Sequence, residues 1–558
     1  MFFFTYRANY CSSKILFFHH LARKNIYELC PLSLVMLCFF LNPVLDSNNH
    51  ILYHCFMQMA VKLTIVIMIT FFLFAYAIPA DYDNPNLFDR LDPRLPGHRA
   101  ILLSRLQVAS GNIPSVDYKQ LSRISQRGLN REFFNFLKKP RAYPFNFTKD
   151  DFRFSAGFQI KEDWLGIAEG GESISNLQTV LTIKGKAILK DKIEFHQDLT
   201  LFRADSTENL NDISTTGEFL KDPLLSYPLA GRGPVASSQN ILDVQTDRAF
   251  IKTELYGIGI QFGRDRLQFK IGYHSGLLFS GLTRPVDMFY KLDYNVWRFS
   301  FTALSGQLTD AGKRYMSAKR ATLRLAHNLQ IGATEAVGFA DDPTAYINPL
   351  MLFYLIHRHR PNNQDNLLAS FDISYTPMKN LNLYGEFLDD DLILFEGGAS
   401  KYGFLFGLYK SQLFSERVDL RLEYSHVRKW TYTHVSLINA WEYRGQPFGF
   451  WLGPDADELF GQLNFFLSPS SVLKINFDYV RKGEGDMYHP YEEEQGDKSP
   501  PFPYGLVEKS TGSWFDVRHE FSRFIFLSRL GYRFIDNRLN IPDDVDSYFA
   551  HIVIVYDF

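Results

Sequence analysis

Cysteine is missing from nearly all of the chain. The four residues Cys11, Cys30, Cys38 and Cys55 all precede position 58, so the body has no disulfide framework, no thiolate metal site and no cysteine nucleophile. A basic excess is missing too. The 59 Lys and Arg stand against 61 Asp and Glu, a formal net charge of −2, which leaves no electrostatic footprint for nucleic acid. Long helical periodicity is almost absent after residue 150. The mean hydropathy of −0.15 is too polar for a helical membrane protein. No G-x-S-x-G, H-E-x-x-H or P-loop pattern occurs, so the common hydrolase, zincin and nucleotide-binding signatures are excluded. Tryptophan is scarce, at 6, but there are 52 Phe and 30 Tyr, and 46% of the 558 residues are hydrophobic. A disordered chain is therefore excluded.

The N-terminal residues read differently from the rest. Residues 59–80, MAVKLTIVIMITFFLFAYAIPA, have a basic start at Lys62, an apolar run from Leu63 to Phe74, and Ala75-Tyr76-Ala77 as an A-x-A-like cleavage site. This is the layout of a bacterial secretory signal peptide. The run is short for a membrane span, and no stop-transfer pattern follows. Residues 1–58 then have no role, and we read them as a spurious upstream extension with the true start at Met57 or Met59. The expected organisation is a signal peptide over 59–80, an N-terminal periplasmic helical segment over 81–148, and a barrel over 149–558. Within the helical segment, 99–110 ends before Gly111, and 116–137 starts after Ser115 and stops before Pro140. We expect this small element to lie outside the main body.

From Phe152 the pattern changes to alternation. Ile193, Phe195, Leu199 and Leu201 alternate with Glu194, His196, Asp198 and Thr200. Trp297, Phe299, Phe301 and Ala303 alternate with polar residues, as do Leu381, Leu383, Gly385 and Phe387. Val418, Leu420, Leu422 and Tyr424 alternate with Arg417, Asp419, Arg421 and Glu423. Leu473, Ile475, Phe477 and Tyr479 alternate with Lys474, Asn476 and Asp478. Period-two patterning of this kind marks strands with one apolar and one polar face.

A soluble sandwich also alternates. Segments of about ten residues with aromatics at their ends fit a membrane barrel better, and export supplies the route. In lipid every backbone polar group must be paired, so a β structure must close on itself. The expected fold is all-β: a transmembrane antiparallel outer-membrane β-barrel with a small N-terminal helical element. At about 22 residues per strand and loop, residues 152–558 hold roughly 18 strands. Polar stretches at 204–247 and 483–512 are expected as long cell-surface loops. The last strand, FAHIVIVYDF, places Ile552, Ile554, Tyr556 and Phe558 on one face and ends on an aromatic, which resembles the signal read by the barrel insertion machinery.

Two blocks of residues resemble the capsule-assembly Wzi-type outer-membrane protein family. The first is FGRDRLQFKIGYHSGLLFS, with Gly263, Arg264, Asp265, Gly272, Leu277, Leu278 and Ser280, followed by Pro285 and Asp287. The second runs from Lys319-Arg320 through Glu335, Asn348-Pro349-Leu350, Asp365-Asn366-Leu367-Leu368, Asp372 and Leu383-Tyr384-Gly385-Glu386 to Asp389, Asp390 and Asp391. Where the family often has a Trp-Gly pair, this chain has Phe269-Lys270 and then Gly272. The resemblance implies a lectin-like, non-enzymatic protein that helps attach or assemble capsular or extracellular polysaccharide at the cell surface.

The residues themselves suggest several sites. Arg264 and Asp265 could act in the lumen or form a structural ion pair at a strand end. Glu335, Asp372 and Glu386 stand at polar parities, so they are expected to face the lumen and pair with arginines such as Arg324 and Arg421. Asp389, Asp390 and Asp391 read as a solvated acidic loop or a cation site. Tyr488, His489, Tyr491, Glu492, Glu493 and Glu494 combine aromatic faces with hydroxyl acceptors on a long loop, a candidate polysaccharide-binding site. His274-Ser275 is the one local pair suggestive of hydrolysis, but strand neighbours point to opposite faces. The expected partners are polysaccharide, outer-membrane lipid and the insertion machinery, with no nucleic acid, cofactor or metal. A porin or solute channel is the competing reading.

Overall fold

The structure, a computed structural model, describes Arg105, 107–109, Gly111 and residues 145–557 apart from 171, 207–240, 268, 270, 282, 284, 309–312, 361–363, 392–398, 444, 493–496 and 522–523. The chain divides into two units, Met1–Pro79 and Ala80–Phe558. All described residues belong to the second. The expectations for residues 1–80, for 116–137, and for Glu493, Glu494 and Phe558 lie outside the described residues.

The alternating segments become long antiparallel strands. They are β1 (Phe145–Lys149), β2 (Phe152–Glu169), β3 (Glu172–Leu189), β4 (Ile193–Ser206), β5 (Ile241–Leu255), β6 (Ile258–Asp265), β7 (Val286–Val296), β8 (Phe299–Leu308), β9 (Arg314–Ala326) and β10 (Leu329–Ala340). After the helix α1 (Phe353–His359) come β11 (Asn366–Met378), β12 (Leu381–Asp390), β13 (Tyr402–Lys410) and β14 (Val418–Val427). A two-stranded ribbon, β15 (Glu442–Tyr443) and β16 (Gln446–Pro447), interrupts the run before β17 (Ala456–Ser468), β18 (Ser471–Lys482), β19 (Glu508–Phe521), β20 (Phe524–Asp536) and β21 (Val545–Asp557).

Each strand from β2 to β21, the ribbon aside, pairs with its neighbour in sequence, and β21 returns to β2 with Ile552 opposite Trp164. The result is a closed barrel of 18 strands. Closure satisfies the strand-edge amides and carbonyls that lipid could not. The pairing of β21 ends at Gln159, and β1 continues along β2 below it, with Phe145 opposite Ala156 and Lys149 opposite Phe152.

Connections at one end are tight, as at Tyr256-Gly257, Trp297-Arg298 and Asn380, several with positive φ, as two-residue hairpins require. Long connections gather at the other end. Short turns mark the periplasmic side and long loops the outer side of such barrels. Trp297, expected within a strand, sits at one of the tight turns instead. The long loops are shorter than the sequence suggests, because β4 extends to Ser206, β5 starts at Ile241 and β19 starts at Glu508. Polar residues in these stretches belong to strand ends, where the wall extends toward water.

The two faces divide by parity as the pattern requires. Phe371, Phe406, Phe477 and Phe515 are exposed on the outside. Asp198, Thr200, Asn382, Asp419, Glu423, Asn476 and Asp478 are buried inside. Ile554 on β21 faces outward, whereas Val553 and Val555 are buried. Many interior polar groups are bonded to one another, which offsets the cost of their burial. Asp372 takes a bidentate contact from Arg320 at 2.6 and 2.9 Å, and Asp516 takes one from Arg529 at 2.7 and 3.2 Å.

Candidate functional site

The lumen is crossed by the segment 266–285, which joins β6 to β7. Gly263, two residues before the end of β6, has φ +110°, and a Cβ there would run into the Ala249 carbonyl. At Gly272 a Cβ would meet the Ser275 carbonyl and the Leu405 side chain. Glycine is needed at both places for the segment to leave the wall and fold inward. Inside, its backbone amides are held by carboxylates from the far wall. Tyr273 and Ser275 donate to Glu423 on β14 at 2.8 and 2.7 Å. Leu277 and Leu278 donate to Glu386 on β12 at 3.0 and 3.3 Å.

Side chains add to this hold. The Arg421 guanidinium lies between the rings of Tyr273 (3.8 Å) and Tyr409 (4.3 Å). His274 pairs with Glu458 at 2.8 Å and stacks on Phe460 at 3.9 Å. Above them the 428–455 segment folds in. Trp441 Nε1 donates to the Leu278 carbonyl at 2.9 Å, Tyr432 donates to that of Leu277, and the Ser280 amide donates to Phe448 at 2.7 Å. Leu277, Leu278, Phe279, Tyr432, Trp441 and Phe450 are all essentially fully buried in one cluster. The barrel therefore carries a packed plug.

At the periplasmic end, Arg105 is fully buried, with Nε 3.0 Å from Asp419 on β14. Val108 lies in the same core cluster as the plug, and its carbonyl accepts the Asn380 amide at 2.9 Å. The described part of the helical segment thus packs into the barrel, although the sequence suggested an element outside it. Gly111, which follows the described residues 107–109, has φ +83°.

Several sequence-derived site residues find other partners. Arg264 and Asp265 do not pair with each other, because strand neighbours face apart. Arg264 reaches Asp287 at 3.3 Å, and Asp265 takes Arg248 and Gln261, both at 2.9 Å. Asp372 pairs with Arg320, while Glu386 holds backbone amides and not an arginine. Glu335 faces outward, paired with Lys319 at 2.9 Å. Its parity is that of Ile331, which is exposed on the wall, and a covering loop makes a charge possible there.

The acidic triplet is no solvated loop. Asp389 and Asp390 end β12 and are buried, Asp390 accepting the Tyr432 amide at 2.6 Å. Asp391 pairs with Lys401. Asp365 accepts Tyr346 and Arg360, each at 2.8 Å, and Asn366 donates to the Asn439 carbonyl at 2.9 Å. Among the described residues no group of three or more His, Cys, Asp or Glu could hold a metal ion. His274 and Ser275 lie in the plug, where the His274 ring bonds Glu458 while the amides of both residues donate to Glu423, so neither side chain meets the other.

The outer end carries the aromatic loop. Asp455, at the mouth of β17, accepts the amides of Gly485 (3.0 Å) and Tyr504 (3.1 Å), which pins both ends of 483–507. Burial pushes the Asp455 carboxyl above its usual range, against the opposing pull of those two amides. Met487 is buried in the core cluster. Asp486 receives the amides of Tyr488 (2.7 Å) and His489 (3.0 Å), together with His489 Nδ1. These contacts outweigh its burial and hold the carboxyl below the ordinary range.

Tyr488, His489 and Glu492 are exposed, while Tyr491 packs edge-on against Trp430 at 5.6 Å. Lys429 lies 3.2 Å from the Tyr504 ring centre and 4.3 Å from that of Trp430. Burial lowers the Lys429 pKa, with Asp455 and Glu484 opposing. The rings of Tyr488 and Tyr504, the carboxylates of Asp486 and Glu492, and the Lys429 ammonium thus share a pinned surface. Lys429, Trp430, Asp455 and Tyr504 carried no signal in the sequence, because the loops that supply them are distant along the chain.

A closed outer-membrane barrel with a plugged lumen and a structured outer surface defines the class of protein. The family model for capsule assembly protein Wzi matches residues 148–502, and the chain belongs to that family. Among solved structures it is similar to Wzi, an outer-membrane protein involved in group 1 capsule assembly in Escherichia coli and described as a carbohydrate-binding β-barrel. The two share 12% identity with a TM-score of 0.54, over 83% of this chain and 98% of that one. OpdL of Pseudomonas aeruginosa is more distant, at 9% identity and a TM-score of 0.43 over 73% and 98% of the two chains. No curated protein sequence matches the chain.

Proposed function

We propose that this barrel is a surface lectin that binds capsular or extracellular polysaccharide and helps attach or assemble it at the cell surface, without catalysis. The observation that carries this reading is the pinned aromatic and acidic surface above a filled lumen. Aromatic faces pack against the C–H faces of sugar rings, and carboxylates accept sugar hydroxyl hydrogens. A lumen crossed by a held segment favours binding over passage, which sets the porin reading second.

Substituting Tyr488 and Tyr491 by Ala, and Glu492, Glu493 and Glu494 by Gln, should reduce cell-bound polysaccharide several-fold. The heat-modifiable barrel should stay intact, because the loop is held by Asp455 and Met487. Unchanged retention with the variant on the surface removes this loop as the site. Unchanged retention in a full deletion strain removes the polysaccharide function.

Export by a cleaved signal peptide completes the proposal. N-terminal sequencing of the membrane-extracted protein should begin between Ile78 and Asp81. Recovery of residues 1–58 on that protein would contradict it.

A further inference from the structure

The outer wall of β9 and β10 holds a charge pair at membrane depth. Lys319 and Glu335 are cross-strand partners, five residues below the outer ends of their strands. They lie on the face opposite Arg320 and Thr334. Bare against acyl chains such a pair is costly. Residues 341–360, which follow β10, hang down the outside and cover it. The Met351 carbonyl accepts Lys319, the Tyr354 amide donates to Glu335 at 2.8 Å, and Phe353 lies 3.9 Å from the Lys319 ammonium. Tyr290 donates to the Ile347 carbonyl at 2.7 Å. Phe353 and Tyr346 are buried against wall residues Val337, Phe339 and Leu367.

The other side of this segment is apolar and uncovered. Ile347, Leu350, Met351, Leu352 and Leu355 are between 41 and 59% exposed. Beneath it, the exposed wall of β11 runs only from Phe371 to Met378. At about 3.4 Å per residue and a tilt of about 40°, that is roughly 18 Å, short of the roughly 25 Å apolar band of such barrels. The exposed leucines continue this band upward. The segment then ends in His357-Arg358-His359-Arg360, with Arg358 and His359 exposed and Arg360 held by Asp365.

We propose that residues 347–360 form an outer-leaflet anchor, with the five apolar side chains among acyl chains and Arg358 and His359 against the phosphates of a phosphorylated lipid. Continuity with the lipid-facing wall and the basic end next to an apolar surface select this occupant over a second copy of the chain.

The test uses the mature chain, which carries no native cysteine from Asp81 onward, in phosphatidylcholine vesicles with and without a bisphosphorylated glycolipid. A nitroxide on Leu352→Cys should match one on Phe371→Cys: open to oxygen and shielded from a polar nickel chelate. One on Tyr488→Cys should behave as in water. The double variant Arg358→Gln/His359→Gln, still heat-modifiable, should retain several-fold less glycolipid through detergent extraction. A water-like Leu352 label, dipolar broadening from a second copy, unchanged glycolipid retention, or equal displacement by inorganic phosphate would each overturn the proposal.

Discussion

Planar bilayers holding the double variant Glu386→Ala/Glu423→Ala should show open-channel steps that the parent barrel lacks. The two carboxylates reach across the lumen to the amides of Tyr273, Ser275, Leu277 and Leu278. Hydrogen bonds to a charged acceptor contribute about 1.5–3 kcal/mol each, and a buried donor left without a partner costs about 1–3 kcal/mol. Four such losses remove the segment's whole hold on the Glu386 and Glu423 carboxylates, and leave the His274–Glu458 pair, the bonds to Tyr432, Trp441 and Phe448, and apolar burial to keep it in place. Water entering the vacated space then solvates the freed amides, which raises the population of the released state enough to be seen as channel openings. The strands keep their ladders, so the barrel should remain heat-modifiable while conducting. A variant that stays closed although its 266–285 segment has become protease-sensitive would show that something other than this segment seals the lumen.

Phe477→Arg should destabilise the barrel by about 2–4 kcal/mol, measured by denaturant unfolding from vesicles, because it places a guanidinium near the bilayer midplane. Phe477 is at the centre of β18, opposite Gly461 and Ser513, with its ring on the outside. Asn476, the next residue, faces inward and is bonded to Gln462 at 2.7 Å and to Asp516 at 3.1 Å. Asn476→Arg loses the Gln462 bond but keeps its charge beside Asp516 in the polar lumen, so its cost should be clearly smaller. Phe477→Leu, still apolar, should cost least. Equal costs for Arg at 476 and 477 would contradict the assignment of the two faces.

Such contrasts were legible in the sequence because a strand turns its side chains over every residue. Arg421 and Glu423 could be placed on the inner face from their spacing alone. That Arg421 lies between two tyrosine rings, and that Glu423 holds a loop from the opposite wall, could not. Glu335 shows the limit of the same rule. A polar residue was assigned inward, yet it faces outward, because a loop folded down the wall provides Glu335 and Lys319 with backbone partners. The acidic run at Asp389, Asp390 and Asp391 read as hydrated for a similar reason. Its burial depends on Tyr432 and Lys401, which reach it only through the fold.

The sequence by itself determined the all-β class, the inside and outside of most strands, the strand number, and the family, since all of these follow from local period and motif. Tertiary structure alone decided that the lumen is plugged, that Arg105 is buried against Asp419, and which groups meet at the outer surface. Those contacts join residues as much as 314 positions apart. Closing a barrel brings walls face to face that no local pattern relates, and only there do a carboxylate and a distant amide become partners.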